Sequence, residues 1–191
     1  MDEKNKNEIL LDVKNLQVSF FTPAGEVKAV DGISYEVRRG EVMGIVGESG
    51  SGKSVEALSV MGLLQRPGKV IGGSVRFMGE ELLTKSNAQM NTIRGKNISM
   101  IFQNPTSCLN PLYTVGNQLS EALRTHNKGI SNKQAHKLSV KMLEDLGISN
   151  AQQRMKQYPH QLSGGMCQRV LIAMALICNP EFLIADEPTT A

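Results

Sequence analysis

The chain has 191 residues, a length typical of one domain with room for a small subdomain. Hydrophobic residues make up 40% and charged residues 20%, a composition that excludes collagen-like, low-complexity and globally disordered chains. The 21 Lys and Arg against 18 Asp and Glu give a net charge of +3, which is too small to indicate a nucleic-acid groove.

The cysteines and the apolar runs bear on the cellular compartment. Cys108, Cys167 and Cys178 have no close metal-ligand spacing, and the sequence shows no secretory leader. We therefore expect a reducing cytoplasm, with these thiols as ordinary packing or surface groups. The most continuous apolar run, 170–178, has nine residues against the roughly 20 that a helix needs to cross a bilayer, so any membrane association is expected to be peripheral.

The first half of the chain predicts strands followed by a loop and a helix. Residues 1–8 are polar without an apolar period, and we expect a disordered start there. Two stretches rich in Val, Ile, Phe and Tyr, 9–20 and 27–37, flank turn residues and predict an antiparallel pair. A short apolar run over 41–46 predicts a buried parallel strand, and helical spacing follows Gly52.

The second half predicts shorter strands and longer helices. Strands are predicted over 74–78, 98–102 and 182–185, the last of them buried. Helical patterns are predicted over 115–146, with breaks near 128–129 and at Gly147, and over a later stretch that runs through Leu176 to a stop at Asn179-Pro180. The glycines before residue 74 are expected to open the first of these strands. Ser163 is placed to cap the last helix. The pattern favours a helical subdomain over about 104–165.

A glycine-rich loop carries the first chemical signal. Residues 47–54, Gly-Glu-Ser-Gly-Ser-Gly-Lys-Ser, satisfy the phosphate-loop pattern G-x-x-x-x-G-K-[ST] between a predicted strand and a predicted helix. Glycines let backbone N–H groups surround the β- and γ-phosphates, Lys53 neutralises the outer phosphates, and the Ser54 hydroxyl can ligate Mg²⁺. The alternative is a plain glycine turn into a helix, and the flanking elements count against it.

An acidic pair follows the last predicted strand. Asp186 and Glu187 lie at the C-terminal end of that strand, where open α/β sheets place their ligand crevice. Asp186 would hold Mg²⁺, directly or through water, and Glu187 would orient or deprotonate the attacking water. Alone, such a pair is more often a solvated strand end or a helix cap, but together with the glycine loop it indicates phosphoryl transfer.

A second anion site is predicted at the start of the last helix. Ser163, Gly164 and Gly165 place a hydroxyl and two glycines at a helix N-terminus. A mononucleotide site that already has a phosphate loop has no use for this second one. The three elements in this order resemble the ATP-binding subunits of ABC transporters, in which the signature helix completes the partner subunit's site.

The resemblance covers residues 9–191 and implies an α/β P-loop NTPase fold. It implies an N-terminal antiparallel β subdomain, a mostly parallel core sheet and a helical subdomain, with the C-terminal part missing. It identifies residues 47–54 with the Walker A loop, 182–187 with the Walker B strand, and Gln103 with the Q-loop glutamine, which senses the γ-phosphate or Mg²⁺ and touches the membrane subunit.

The resemblance also implies a role for each motif residue. Phe20 occupies the position of the aromatic residue that stacks on adenine, with Phe21 as the second choice and an ordinary core role as the alternative. Catalysis is assigned to Glu187 and Gln103, and Mg²⁺ binding to Ser54, Gln103 and Asp186. ATP binding is assigned to Phe20, Gly47, Glu48, Ser49, Gly50, Ser51, Gly52, Lys53, Ser54, Ser163, Gly164 and Gly165.

Longer phrases narrow the resemblance to one group of importers. Tyr-Pro-His-Gln-Leu-Ser-Gly-Gly-Met at 158–166 and Leu-Ile-Ala-Asp-Glu-Pro-Thr-Thr-Ala at 183–191 resemble the ATP-binding subunits of dipeptide, oligopeptide and nickel importers. The implied function is an ATPase that energises such an importer as a peripheral protein on the cytoplasmic side of the cell membrane. The implied partners are a second ATP-binding subunit, transmembrane permease subunits and, indirectly, an extracytoplasmic substrate-binding protein, with no nucleic acid.

The sequence departs from the family pattern at two places. It stops at Ala191, before the family's D-loop and switch histidine, and His126, His136 and His160 all precede the Walker B strand and are assigned no catalytic role. Cys167 stands where relatives usually carry arginine. We expect unpaired strand edges in the core sheet and weak independent stability. Two alternatives stay open: a nucleotide-binding fragment without turnover, and a soluble ABC ATPase outside transport.

Overall fold

The computed structural model describes residues 8–188, with the side chains of Pro105 and Thr106 outside the description. The start that we expect to be disordered, 1–8, lies outside the described residues except for Glu8. The strands are β1 (Ile9–Thr22), β2 (Gly25–Arg38), β3 (Gly68–Phe77), β4 (Glu80–Glu81), β5 (Ile98–Ile101) and β6 (Phe182–Ala185). The helices are α1 (Lys53–Val60), α2 (Asn87–Ile93), α3 (Pro105–Cys108), α4 (Val115–His126), α5 (Asn132–Asp145), α6 (Ala151–Arg154) and α7 (Gly164–Leu176).

The first of two compact units, Met1–Asn91, is built on an antiparallel sheet with the strand order β2-β1-β3-β4. The predicted pair of β1 and β2 is confirmed, and Thr22 lies opposite Gly25 at their turn. Helix α1 contacts both strands, and its residues Ala57 and Val60 are buried. The helix that follows the glycine-rich loop is therefore held on the sheet.

Strand β3 is longer than the predicted 74–78 and begins at Gly68. At Gly73 the backbone has φ +98°, and a Cβ there would lie 2.5 Å from the carbonyl oxygen of Asn15. The register with β1 shifts at this point, between Lys14 and Gln17. The paired glycines are therefore a bulge inside the strand, and not its start as predicted.

The predicted buried strand over 41–46 is wrong. The segment has no regular secondary structure, and Val42 and Val46 are 98% and 96% exposed. None of the strands described between residues 8 and 188 pairs with it. Because a strand exists only through ladder hydrogen bonds to a neighbour, an apolar run without a partner stays exposed.

The second unit, Thr92–Ala191, contains a two-stranded parallel sheet in which Ile98 of β5 lies opposite Phe182 of β6. The parallel part of the described chain is thus smaller than the mostly parallel sheet that the resemblance implies. Strand β6 forms as predicted but is not buried, since its residues alternate between half-buried and exposed. Within the described residues β6 has β5 as its one strand neighbour, which leaves Leu183 36% exposed.

The helices of this unit enclose its largest apolar cluster. The predicted helical stretch 115–146 forms as α4 and α5, with Thr114 capping the first and a Ser131–Gln134 capping box opening the second. The fully buried members of the cluster are Val115, Leu119, Ala135, Leu143, Val170 and Ala173. Because α7 contributes to this cluster, the signature helix is fixed by apolar packing. The boundaries of the helical subdomain, about 104–165, stay a prediction.

The cysteines are free thiols, as expected. Cys167 is buried in α7, its thiol donates a hydrogen bond to the Pro159 carbonyl oxygen at 3.4 Å, and burial raises its pKa. Cys178 is half-buried, also with a pKa raised by burial, and Cys108 is exposed. Across residues 8–188, every helix is too short or too polar to cross a membrane.

Candidate functional site

The phosphate loop curls around its own lysine. The ammonium group of Lys53 donates hydrogen bonds to the carbonyl oxygens of Gly47 at 2.7 Å and Glu48 at 2.8 Å. The Ser51 N–H donates to the Glu48 carbonyl at 3.2 Å and closes a turn within the loop. The loop therefore holds a cationic side chain against its own backbone, as a phosphate-binding loop requires.

Glycine is required where the loop enters α1. Gly52 has φ +94°, and a Cβ there would lie 2.2 Å from the Ala29 carbonyl oxygen on β2. As the N-cap of α1, Gly52 has no side chain to accept hydrogen bonds from the first N–H groups of the helix. These donors are therefore not used by a cap, and a phosphate is a ligand that they can bind.

Gly52→Ala is expected to lower MgATP affinity at least about tenfold, since the new methyl group must push the loop away from Ala29. Gly50→Ala is the matched control: Gly50 has a similar φ of +82°, but a Cβ there would meet nothing within 4 Å. Equilibrium titration with a fluorescent ATP analogue measures both variants. Equal losses in the two variants would show that backbone strain, and not the contact with β2, sets the loop.

The predicted adenine-stacking residue lies on the sheet that the loop contacts. Phe20 is half-buried and lies opposite Val27, which precedes Ala29 on β2. Phe21 is 45% exposed, and the Lys69 ammonium lies 5.6 Å from its ring centroid. The Lys69 contact involves one face of the Phe21 ring, and the assignment of adenine stacking to Phe20 stays a prediction.

The predicted catalytic residues of the second unit meet at the carboxyl end of the parallel strands. The Asp186 N–H donates to the Ile101 carbonyl at 3.0 Å and extends the ladder by one residue. The Gln103 side-chain amide donates to the Glu187 carboxylate at 2.5 Å. Glu187 has φ +45°, a conformation that residues other than glycine seldom adopt. The structure thus brings Gln103, Asp186 and Glu187 together within the second unit, whereas the phosphate loop belongs to the first.

The signature residues form an open helix end. Ser163 caps the 13-residue helix α7, its hydroxyl accepting from the Met166 N–H at 3.4 Å. Gly164 and Gly165 are exposed, and a Cβ on either would meet nothing within 4 Å. The first turn of α7 carries no acidic side chain. Anionic groups can therefore approach this end without steric or electrostatic hindrance from the turn itself.

Two residues just after the signature, Gln168 and Arg169, make long-range hydrogen bonds that the sequence did not predict. The Gln168 side chain donates to the Pro188 carbonyl and so links α7 to the segment after the acidic pair. Arg169 donates to the Gly147 carbonyl at 2.8 Å, at the end of α5. Both partners are about 20 residues away in sequence, and no local pattern indicates such pairs.

The fold and the motifs together define a nucleotide-binding domain of the P-loop class. A model of the ABC transporter family matches residues 30–190, and the chain belongs to that family. It is 54% identical over 183 residues to the oligopeptide transport ATP-binding protein OppD of Salmonella typhimurium, covering 96% of this chain and 54% of that protein. It is 54% identical over 185 residues to the dipeptide transport ATP-binding protein DppD of Bacillus subtilis, covering 96% and 55%. The chain spans about half the length of these curated relatives.

Solved structures confirm the cassette fold. The dimeric post-hydrolysis state of the ATP-binding cassette MJ0796 bound to ADP and Pi matches with a TM-score of 0.86 at 28% identity, covering 95% of this chain and 75% of that one. A second structure, the dimeric ABC transporter cassette MJ0796, matches with a TM-score of 0.85 at 28% identity, covering 94% and 75%. The predicted α/β ATP-binding cassette fold is therefore confirmed.

Proposed function

We propose that this chain binds and hydrolyses ATP and thereby energises an ABC importer of peptides. The observation that carries this proposal is that one chain of the ABC transporter family combines three motifs. They are a phosphate loop curled around Lys53, an acidic pair in which Glu187 accepts a hydrogen bond from Gln103, and an open signature helix end at Ser163. Relatives at 54% identity are named for oligopeptide and dipeptide transport.

ATP binding is proposed to begin at the phosphate loop. The Lys53 ammonium donates to the carbonyl oxygens of Gly47 and Glu48 at 2.7 and 2.8 Å, and a phosphate oxygen is a stronger acceptor for it. Residues 47–54 would surround the β- and γ-phosphates with N–H groups, and Phe20 would stack on adenine. The loop therefore fits a nucleoside triphosphate.

The donor set also fits Mg²⁺, which favours oxygen ligands and is usually held by one or two protein groups together with phosphates. Ser54 offers a hydroxyl, Asp186 a carboxylate and Gln103 an amide oxygen. When bound, the ion supplies charge neutralisation on the phosphates. Glu187 is proposed to accept the proton of the attacking water, with the Gln103 amide orienting its carboxylate.

The signature residues are proposed to act on a second subunit. Ser163, Gly164 and Gly165 form an open helix end, and the matched MJ0796 cassettes are described as dimeric. Two ATP-binding subunits would each bring a phosphate loop to the other's signature. We propose transmembrane permease subunits as further partners, a substrate-binding protein as an indirect one, and a peripheral position on the cytoplasmic face of the membrane.

The proposed function predicts the transport phenotype of a strain that lacks this gene. We expect the deleted strain to lose uptake of labelled dipeptides or oligopeptides, and the parent gene to restore it. A gene carrying Glu187→Gln should leave uptake at least about 100-fold below that of the parent, since a general base contributes about 10²–10⁴ in rate. Labelled-peptide uptake and labelled-nickel uptake are measured side by side.

Glu144→Gln, on the exposed surface of α5, is the matched control and should restore uptake fully. Lost nickel uptake with intact peptide uptake would contradict the peptide assignment. Unchanged uptake of both cargoes in the deleted strain would contradict a role in either import process. Full activity of Glu187→Gln would remove Glu187 from the catalytic step.

A further inference from the structure

We propose that Tyr35 and Glu56 are positioning residues for nucleotide binding: their hydrogen bond anchors the helix that presents Lys53 and Ser54 to the phosphates. The inference rests on the proposed ATP binding and adds two residues to it. Neither residue belongs to the phosphate-loop pattern, because the pattern ends at Ser54 and Tyr35 lies on a different element, β2.

Glu56 is a carboxylate in an unusual place. It lies in the first turn of α1, two residues after Ser54 in the sequence. The residue is only 5% exposed. Its backbone N–H donates to the Gly52 carbonyl at 2.9 Å, so it belongs to the turn that opens the helix. A carboxylate buried this deeply costs folding free energy unless hydrogen-bond donors reach it.

Tyr35 provides such a donor from the sheet. Its hydroxyl donates a hydrogen bond to the Glu56 carboxylate, and the two residues are 21 positions apart in sequence. Burial of the phenol, together with the charge of Glu56 and this hydrogen bond, raises the pKa of Tyr35 above its ordinary value. The hydroxyl therefore keeps its proton, and with it the donor role, through the physiological pH range.

Strand β2 thus holds the start of α1 at two places. The first is the close approach of Gly52 to the Ala29 carbonyl, and the second is the bond from Tyr35 to Glu56. Two contacts along one strand fix the direction of a short helix better than one. Lys53 and Ser54 lie between Gly52 and Glu56 in sequence, so their direction is set by both contacts. Binding groups must be held within about 0.5 Å of their productive positions, so the two contacts bear on how Lys53 and Ser54 meet the phosphates.

The test compares MgATP affinities of the 191-residue chain by calorimetry, well below the melting temperature of every variant. Tyr35→Phe removes only the hydroxyl, and we expect it to weaken MgATP binding about three- to tenfold. We expect the same loss from Glu56→Ala. Glu56→Gln keeps a carbonyl acceptor for the Tyr35 hydroxyl and should restore affinity to within about twofold of the parent. Tyr113→Phe, at an exposed tyrosine of the other unit, should equal the parent.

Each other outcome overturns the inference. Parent-like affinity of Tyr35→Phe with a lower melting temperature would mean that the pair serves stability alone, as would failure of Tyr35→Phe to fold. Equal losses in Glu56→Gln and Glu56→Ala would mean that the charge, and not the hydrogen bond, matters. A parent chain that binds no ATP would overturn the proposed function itself, which separates that failure from failure of the positioning role.

Discussion

Lys53→Ala is expected to weaken MgATP binding by about 100-fold or more, because the ammonium makes charge-assisted hydrogen bonds worth about 1.5–3 kcal/mol each. In the structure this ammonium lies against the carbonyl oxygens of Gly47 and Glu48, at the centre of the loop. Its loss leaves the loop without its only side-chain cation. Displacement of a fluorescent ATP analogue measures the affinity of each variant.

The matched control for this change is Lys141→Ala, at an exposed lysine of α5. It removes the same charge from the chain and should bind MgATP as the parent does. If the two variants bind equally, Lys53 does not contact the phosphates and the loop is a plain turn into α1.

Ser163→Arg is expected to leave the first ATP-binding step within about twofold of the parent and to lower hydrolysis by the assembled pair at least about 100-fold. A Cβ on Gly164 or Gly165 would meet nothing within 4 Å, so this helix end is open, and an arginine at its cap would block the approach of a partner subunit. Phosphate release under saturating MgATP gives the rate, and titration gives the affinity.

Ser149→Arg introduces the same side chain at an exposed serine between α5 and α6 and should leave both quantities unchanged. The proposed role in trans requires that binding and hydrolysis separate in Ser163→Arg. Equal losses of both would instead place Ser163 in the site of its own subunit.

Local chemistry explains what the sequence could predict. The phosphate loop, the cap at Ser163 and the antiparallel pair of β1 and β2 depend on neighbours within a few residues or across one turn. Such elements form from the residues that a short window contains. Helix α1 likewise forms where helical spacing follows Gly52, and it ends at Val60, two residues before Gly62, whose φ is +61°.

The errors arose where structure depends on distant partners. Residues 41–46 have an apolar pattern typical of a buried strand, yet no strand in the described part of the chain pairs with them, and Val42 is 98% exposed. The glycine pair at 72–73 looked like a strand start because its role as a bulge depends on Asn15 across the ladder. The bond between Tyr35 and Glu56 likewise joins elements that no local pattern connects.

Thermal unfolding of the 191-residue chain, with and without MgATP, tests most directly the claim that it is an ATP-binding cassette. Ligand at about 100 times Kd stabilises a binding protein by about 2.7 kcal/mol, which for this size is a rise in Tm of about 5–11 °C. We predict that rise for the parent and none for Lys53→Ala. A cooperative transition that MgATP leaves unmoved in the parent would contradict the account.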